Sequence, residues 1–353
     1  MSFPIASGPT DHMPLVPVAE QALLDAARSG SEDAFRRIVE DHRAGLHAHC
    51  YRMLGTIHDA EDALQEALLR AWRGLPQFAG RSSLHTWLYR IATNACLDAL
   101  GRRPGRVLPI DYGPPSEPTH DVGEPLAESL WIGPYPDHLI ASGDGLAGPE
   151  ARYGQREAIE VAFIAALQHL PATQRAVLIL REVLGFSARE VAESMDTTVV
   201  SVNSALQRAR RTIADRLPDR TQQATLRSLG DERARGLVEA YIDAWARADV
   251  DGLRALLVED AVLSMPPWPL WWRGADTIAG LAATAASGCP PTRAVPIRAS
   301  GQLAIASYGL DPSTGRYTAS AIDVLTLDGP LVKEITAFVT PAMFGDFGLA
   351  DAL

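Results

Sequence analysis

The stretch DTTVVSVNSALQRARRTI, residues 196–213, has the pattern of a helix with two unlike faces. One face is apolar and is formed by residues at helical spacing: Val199, Val202, Leu206, Ala209 and Ile213. The preceding segment predicts a helix over residues 187–195, because Ser187 is a good N-cap and Glu190 completes a capping box. Together the two helices fit a helix-turn-helix, whose second helix enters the major groove of DNA. An ordinary three-helix bundle with a solvated polar face fits the pattern equally well.

The charge distribution bears on whether such a helix can approach DNA. The chain has 353 residues and a formal net charge of −11, whereas DNA affinity depends largely on Lys and Arg that neutralise phosphates. The charge is uneven, however. Residues 36–106 carry 11 basic and 7 acidic side chains and residues 151–220 carry 10 and 8, but residues 107–150 carry 0 and 8. Two mildly basic blocks flanked by acidic ones indicate a modular protein.

The sequence pattern divides the chain further, since its length exceeds what one hydrophobic core usually organises. Residues 19–106 and 151–218 have helical periodicity, and residues 231–347 combine helical and strand patterns, which predicts an α+β module. We expect no core in the remaining segments: a flexible N-terminus at 1–18, an extended or disordered acidic Pro/Gly-rich linker at 107–150, and a short polar joint at 219–230.

No sequence feature points to a membrane or to secretion. The chain has no secretory signal and no apolar run long enough to cross a bilayer. Cys50, Cys96 and Cys289 lie far apart and form no C-x-x-C pair, which argues against a zinc ribbon or a redox motif. We therefore expect a reduced cytoplasmic protein that contacts no membrane and holds no metal or cofactor.

Two motif sets resemble those of a known family. Region 4 of the extracytoplasmic-function (ECF) sigma factors, of the sigma-70 family, resembles LPATQRAVLILREVLGFSAREVAESMDTTVVSVNSALQRAR, which begins at Leu170. Region 2 of the same class resembles HDAEDALQEALLRAWRGLPQFAGRSSLHTWLYRIATNACLDALGRR, which begins at His58. The resemblance implies two all-α domains, a region 2 helical bundle and a region 4 helix-turn-helix. It also implies two partners, promoter DNA and the β′ clamp and β flap of core RNA polymerase.

The resemblance assigns a polymerase-binding role to one helix of region 2. The helix that contains DAEDALQE has an inward stripe formed by Ala60, Leu64, Ala67 and Ala71. By resemblance, its polar side binds the β′ clamp through five residues: Asp59, Glu61, Asp62, Gln65 and Glu66. Without the family, a solvated acidic face is the simpler interpretation.

The resemblance also implies two DNA-binding surfaces. The −10 element would be engaged by Arg81, Ser82, Ser83, Trp87, Arg90, Asn94, Arg102 and Arg103. Among these, Trp87 fits core packing better than base contact. The −35 element would be read by Ser201, Asn203, Ser204, Gln207, Arg208 and Arg211. The family often has basic residues where this chain has Asn203 and Ala205, so we expect Arg208 to carry more of the contact.

The block at 231–347 resembles no core sigma region. Its beginning is similar to the SnoaL-like, or polyketide-cyclase-like, domain of the nuclear-transport-factor-2 fold, in which helices and a curved sheet form a cone. The similar stretch is DERARGLVEAYIDAWARADVDGLRALLVEDAVLSMPPWPLWWRGADTIAGL. Three of the chain's seven tryptophans are Trp268, Trp271 and Trp272. Tryptophans clustered at this density favour core or interface packing. The alternative is a pocket for a small apolar ligand, with six candidates: Trp245, Asp260, Trp268, Trp271, Trp272 and Asp323.

The sequence therefore predicts a multidomain sigma factor with two all-α domains and an α+β cone-shaped domain. It would direct transcription initiation, while the third domain packs against the chain's own sigma domains and regulates them. The alternative is a bifunctional protein whose third domain is a cyclase-, isomerase- or hydrolase-like enzyme. No constellation of catalytic residues stands at telling spacing in that domain, so we predict no enzyme activity.

Overall fold

The first domain is a helical bundle. The computed structural model describes residues 18–80, 82–102, 105–117, 123–140, 154, 156–288 and 290–353. The helices of this domain are α1 (Val18–Arg28), α2 (Glu32–Leu54), α3 (Ile57–Gly74) and α4 (Leu84–Leu100). Ser31, Thr56 and Ser83 begin α2, α3 and α4, because each side chain accepts a hydrogen bond from a backbone N–H of the first turn. Gly55 ends α2 at φ 85°, in the left-handed region that glycine favours, and α3 packs back against α2.

A helix-turn-helix lies in the second domain. A short helix, α5 (Pro109–Tyr112), precedes it in the chain. The domain contains α6 (Val161–Gln168), α7 (Ala172–Leu178) with a π-helical turn (Ile179–Val183), α8 (Ala188–Ser194) and α9 (Val199–Ala214). The predicted capping box at α8 is confirmed, since the side chains of Ser187 and Glu190 each accept from the other's backbone N–H. Of the predicted apolar stripe on α9, Val199 is wrong: it is 41% exposed, because it is the first residue at the open end of the helix.

The segment predicted as a polar joint is partly a helix, α10 (Gln222–Leu229). Its N-terminus is capped by the second domain, because the buried carboxylate of Glu160 accepts the N–H groups of Gln222 and Gln223, both at 3.0 Å. Gln222 also exchanges side-chain hydrogen bonds with the backbone of Leu327 in the third domain. The joint is therefore a fixed connection between two domains. Its buried glutamine side chains form hydrogen bonds across the interface.

The third domain packs helices against one face of a six-stranded sheet. Its helices are α11 (Asp231–Ala246), α12 (Val250–Leu256) and α13 (Ala275–Gly288). Its strands are β1 (Leu257–Ser264), β2 (Trp271–Arg273), β3 (Thr292–Ala299), β4 (Gln302–Asp311), β5 (Arg316–Asp328) and β6 (Leu331–Phe338). The strand order is β2-β1-β6-β5-β4-β3, and only the β1–β6 pair is parallel in the part of the sheet that the structure describes. The predicted combination of all-α domains with an α+β domain is confirmed.

The segment at 107–150 is not a disordered linker over its described residues. Trp131, Ile132 and Tyr135 are at most 2% exposed, and Leu108 and Ile140 are also buried. Burial of these large side chains supplies the free energy that fixes a chain otherwise rich in Pro and Gly. The linker was predicted to be disordered from its content of Pro, Gly and acidic residues, and these apolar residues were not taken into account.

The three domains meet in a common apolar core. The face of the sheet opposite α11 carries Ala304, Ala306, Ile322 and Val324, and these residues belong to the same buried cluster as the interiors of both helical domains. The residues of the other face, such as Leu325 and Ile335, pack with the helices of their own domain. The sheet thus separates the third domain's own core from the core that all three domains share. No helix among the described residues has the length and apolar character needed to cross a membrane.

Candidate polymerase-binding and nucleic-acid interfaces

The predicted polymerase-binding surface is the outer side of α3. Asp62, Gln65 and Glu66 are exposed there, and Glu61 is half-buried and accepts a hydrogen bond from Arg43 at 2.8 Å. The predicted inward stripe is confirmed, since all four of its members are at most 3% exposed: Ala60, Leu64, Ala67 and Ala71. The bundle therefore presents three of the predicted polar side chains of α3 to a partner.

Asp59 does not belong to that surface, and its assignment was wrong. It is buried and forms an ion pair with the buried Arg106, whose Nε lies 2.9 Å from Oδ2 of Asp59. Arg106 also donates to the backbone carbonyls of Glu128 and Trp131. Asp59 sits in the first turn of α3, where the linker crosses the helix, so its carboxylate anchors the linker instead of facing solvent.

The candidate −10 surface lies on α4 and the loop before it. Ser82, Arg90, Asn94 and Arg102 are exposed, so these side chains can reach a nucleic-acid strand. Arg90 and Asn94 are four residues apart and therefore lie on one side of the helix. The predicted contacts Arg81 and Arg103 lie outside the described residues.

Two residues predicted for the −10 surface have structural roles. The hydroxyl of Ser83 caps α4 by accepting the N–H of Thr86 at 3.1 Å, although Ser83 is exposed. Trp87 is 7% exposed and its ring packs on Phe78 with centroids 4.9 Å apart. Trp87 is thus a core residue, as its sequence context favoured, and a direct base contact by its ring is wrong.

The candidate −35 surface is the outer side of α9. Ser204 is half-buried, and the other five predicted residues are exposed: Ser201, Asn203, Gln207, Arg208 and Arg211. Ser201 also takes part in the helix cap, since its N–H donates to the Thr198 hydroxyl at 3.1 Å. Arg210, at the side of the helix, forms an ion pair with Glu182 of the π-helical turn that follows α7. The helix therefore offers donors and amide edges of the kind that read base pairs in a major groove.

Buried arginines join the two helical domains to each other. Arg52 on α2 donates through Nε to the carbonyl of Ala158 at 3.1 Å, and Arg175 on α7 donates through Nη1 to the carbonyl of Met53 at 2.5 Å. Both side chains are at most 3% exposed. Desolvation lowers the pKa of both guanidinium groups, that of Arg175 to about 10. The sequence offered one signal, an Arg inside the apolar run QRAVLIL, and its meaning was missed.

Aromatic side chains complete this contact. The ring of Phe186, just before α8, stacks on His85 of α4 with centroids 5.4 Å apart and lies 5.8 Å from Tyr89. Phe186 is 7% exposed. The helix that carries the candidate −10 residues is therefore packed directly against the helix-turn-helix.

The third domain inserts a turn into the same junction. Ser300 and Gly301 connect β3 to β4, and the backbone of Ser300 donates to the Tyr135 carbonyl at 2.6 Å while its hydroxyl accepts the Tyr135 N–H at 3.0 Å. The Gly301 N–H donates to Asp137 at 2.7 Å. Gly301 has φ 71°, and a Cβ there would lie 2.9 Å from Nε2 of Gln223 and 3.1 Å from the carbonyl oxygen of Arg156, so any other residue would be strained.

Among the described residues, the three clustered tryptophans hold the linker, and their indole N–H groups are engaged by it instead of facing a ligand. Their indole N–H groups donate to linker carbonyls: Trp271 to Gly113 at 2.8 Å, Trp272 to Glu117 at 3.3 Å and Trp268 to Gly123 at 2.9 Å. We call Trp268, Trp271 and Trp272 the tryptophan face, and residues 113–117 and 123–126 the strap. The interface packing that their density favoured is the packing observed.

The remaining pocket candidates separate into two groups. Asp260 is exposed and does not join the others. Asp323 lies on β5, on the face of the sheet that packs against α11, with Oδ2 3.5 Å from the hydroxyl of Tyr241. The ring of Trp245 lies 6.2 Å from that of Tyr241. Desolvation raises the pKa of Asp323 to about 7. Among the described residues, no group of three or more His, Cys, Asp or Glu could hold a metal ion.

Comparison with protein-family profiles assigns each domain. Sigma-70 region 2 matches residues 38–104, sigma-70 region 4 matches residues 160–213, and the SnoaL-like domain matches residues 238–335. The candidate polymerase, −10 and −35 residues lie within or beside the first two matches. The tryptophan face and Asp323 lie within the third.

Relatives that match this chain are named as sigma factors. The ECF RNA polymerase sigma factor SigG of Mycobacterium tuberculosis is 40% identical over 93% of this chain and 89% of its own length. SigW of Bacillus subtilis is 29% identical over 54% of this chain and 93% of its own length. The crystal structure of M. tuberculosis SigJ shares the fold, with a TM-score of 0.56 and 19% identity over 87% of this chain and 97% of SigJ. The chain thus belongs to the ECF sigma factors, the RNA polymerase subunits that direct transcription initiation at promoters, and it carries a SnoaL-like third domain.

Proposed function

We propose that this sigma factor is held by its linker and third domain in a closed form that cannot occupy both promoter elements, and that activation separates region 2 from region 4. The observation that carries the proposal is the reciprocal pair of buried arginines, Arg52 on Ala158 and Arg175 on Met53. Each domain uses a buried cation to bind the backbone of the other. Such contacts are made only while the two domains touch.

The spacing of promoter elements supports the closed interpretation. The −10 and −35 elements are separated by roughly 25 base pairs, which is roughly 85 Å along B-form DNA. In the closed form, Phe186 of region 4 stacks on His85 of region 2 with centroids 5.4 Å apart. Two domains in direct contact cannot place α4 and α9 on elements that far apart, so promoter binding requires their separation.

The third domain contributes by fixing three segments at once. Its Ser300–Gly301 turn binds Tyr135 and Asp137 of the linker, and Gln302 accepts the N–H of Val161 at the start of region 4 at 2.8 Å. The tryptophan face binds the strap. This arrangement favours an inhibitory role, because it strengthens contacts that exist only in the closed form.

The polymerase-binding role of α3 fits the same scheme. Asp62, Gln65 and Glu66 remain exposed in the closed form, so region 2 can meet the β′ clamp before the domains separate. Region 4 would then be released toward the β flap and the −35 element. We infer that the protein acts in the cytoplasm, where core polymerase and promoter DNA are found.

The test changes the contact between regions 2 and 4 without touching either DNA surface. Phe186→Ala removes a buried ring from the interface, and large-to-small changes of this kind cost about 3–5 kcal/mol in a well-packed core. We expect the variant to have a larger radius of gyration by small-angle scattering and tighter binding to core polymerase. Phe35→Ala is the control, since Phe35 packs on Trp72 within region 2, with centroids 5.2 Å apart. Unchanged size and affinity for Phe186→Ala would refute the closed form as a brake.

One observation supports a second role for the third domain, in binding a small molecule. Asp323 combines a pKa of about 7 with a phenol 3.5 Å away, and a carboxyl with such a pKa can exchange a proton near neutral pH. The relatives are named as sigma factors, and we propose that Asp323 binds or senses a small molecule without turning it over. Turnover of a small molecule that is lost in Asp323→Asn would establish the enzyme alternative.

A further inference from the structure

The strap lies along the edge of the third domain's sheet. β2 is the terminal strand in the order, and it pairs with β1 alone among the strands described. The Ser116 N–H donates to the Trp271 carbonyl at 2.7 Å, and the Trp271 N–H donates to the Ser116 hydroxyl at 3.3 Å. Further along, the Leu126 N–H donates to the Pro267 carbonyl at 3.0 Å. An extended peptide laid on an open sheet edge is a recurring form of peptide recognition.

The tryptophan face recognises the backbone of the strap. All three indole N–H groups donate to main-chain carbonyls, at Gly113, Glu117 and Gly123. Residues 113–117 read Gly-Pro-Pro-Ser-Glu, and proline fixes φ and favours the extended polyproline conformation. Aromatic surfaces that bind such segments use the same low-entropy extended backbone. The contact therefore selects a conformation, and any chain that adopts it offers the same carbonyls.

Charge adds a second preference. The Arg273 guanidinium lies over the Trp271 ring, 5.5 Å from its centroid, beside a strap that carries Glu117 and Glu124. The positive charge of Arg273 on this surface favours acidic residues in the bound chain. The surface thus suits a proline-rich, acidic, extended peptide.

The strap can leave without dismantling the shared core. Pro114, Pro115, Glu117 and Pro125 are exposed on its outer side, whereas residues 131–135 contribute large buried side chains. Segments with few buried apolar contacts open at low free-energy cost. The linker therefore has a surface part that can exchange and a buried part that anchors it.

We propose that the tryptophan face is a peptide-recognition site that a partner protein occupies with a proline-rich, acidic, extended segment after displacing the strap. The strap competes in cis at a high effective concentration, so the partner succeeds only when it is abundant or binds more tightly. Displacement would loosen the linker and favour separation of regions 2 and 4. That consequence rests on the closed form proposed above, whereas peptide binding itself does not.

The test uses the full chain and a labelled synthetic peptide of residues 111–126, DYGPPSEPTHDVGEPL. Pro114→Ser with Pro115→Ser in the chain removes the preformed extended backbone and weakens the hold of the strap on the face, and fluorescence anisotropy then reports peptide binding. We expect saturable binding to this chain and weaker binding to the wild type, whose strap competes. Adding Trp268→Phe, which removes one indole N–H, should weaken binding about three- to tenfold. Trp72→Phe, the same change in region 2, should have no effect.

The outcomes separate the two proposals. A peptide whose own two prolines are replaced by serine should bind more weakly, since it loses the preformed extended backbone. Equal affinity for the wild type, the chain with the weakened strap and the Trp268→Phe chain, or no binding to a chain with the weakened strap that is folded by circular dichroism, would overturn the peptide site. Peptide binding that leaves the affinity for core polymerase unchanged would uphold the site and overturn the closed form as a brake.

Discussion

Arg52 in region 2 lies with Nε 3.1 Å from the carbonyl oxygen of Ala158 at the start of region 4, and both groups are buried. A buried cation that binds a neutral carbonyl recovers only part of its lost hydration. Burial accordingly lowers the pKa of Arg52, as it does for Arg175 on the other side of the contact. The closed form thus contains two desolvated cations. Their rehydration on separation offsets part of the lost contacts, which makes the closed form stable yet reversible.

Arg52→Lys should open the chain. Lysine keeps the charge but cannot present the planar donor at the position of Nε, and the loss of a charge-assisted hydrogen bond costs roughly 1–3 kcal/mol. We expect a larger radius of gyration and about 5- to 150-fold tighter binding to core polymerase, if that cost falls on the closed form. Arg189→Lys, at an exposed site on α8, is the matched control and should leave both measurements unchanged. Tighter binding by both variants, or by neither, would contradict the role of Arg52.

Asp62→Arg combined with Glu66→Arg should weaken binding to core polymerase without unfolding region 2. Both side chains are exposed on α3 and four residues apart, so they form one patch. Reversal of charges at an interface that was complementary costs several kcal/mol. Glu239→Arg with Asp243→Arg repeats the same change and spacing on the exposed side of α11. A pull-down with the β′ subunit compares the two, and equal retention would remove α3 from the polymerase interface.

The sequence was informative where a local pattern determines the environment of a side chain. The capping box at Ser187 and the inward stripe of α3 follow from helical periodicity and hydrogen bonding within a few residues. The prediction that Asp59 is exposed was wrong because its environment is determined by Arg106, which lies 47 residues away in the chain. The same holds for the tryptophan face, whose partners are more than 140 residues distant. Contacts between domains have no local period, so composition alone described the linker as an unattached segment.

Arg208→Ala should weaken recognition of the −35 element, because its exposed side chain lies on the face of α9 opposite the buried Leu206 and Ala209. A specific base contact carries about 1–3 kcal/mol of discrimination, whereas a phosphate contact mainly changes the dependence on salt. Arg210→Ala on the same helix is the control, since Arg210 pairs with Glu182. Footprints of the holoenzyme at several salt concentrations distinguish the two kinds of contact. An equal loss for both variants would leave Arg208 no special role in reading the element.

Arg90→Ala should impair opening at the −10 element while leaving −35 protection intact. Arg90 is exposed on α4 beside Asn94, and region 2 retains its core because Trp87 and Phe78 are untouched. A guanidinium at this place suits the phosphates of a melted strand. Permanganate reactivity of unpaired thymines measures the opening directly. Wild-type reactivity in the variant at several salt concentrations would exclude Arg90 from the contact.

Asp323→Asn should stabilise the third domain at alkaline pH relative to the wild type. Desolvation raises the pKa of Asp323 from its ordinary value of 3.8 to about 7, so the folded state binds the proton more tightly than the unfolded state does. The stability of the wild type therefore falls as pH rises between these two values, and the loss is complete above pH 7. Asparagine has no proton to lose, so its advantage in thermal unfolding should grow from pH 5 to pH 8. We expect this advantage in the free energy of unfolding to reach about 1–2 kcal/mol. It is smaller than the full pKa shift implies, because Asp323 keeps some solvent contact. Asp328→Asn, at the exposed end of the same strand, is the control and should differ from wild type by a constant amount. An advantage of Asp323→Asn that does not change with pH would show that Asp323 is already ionised at pH 5 and cannot serve as the neutral-pH proton group of this domain.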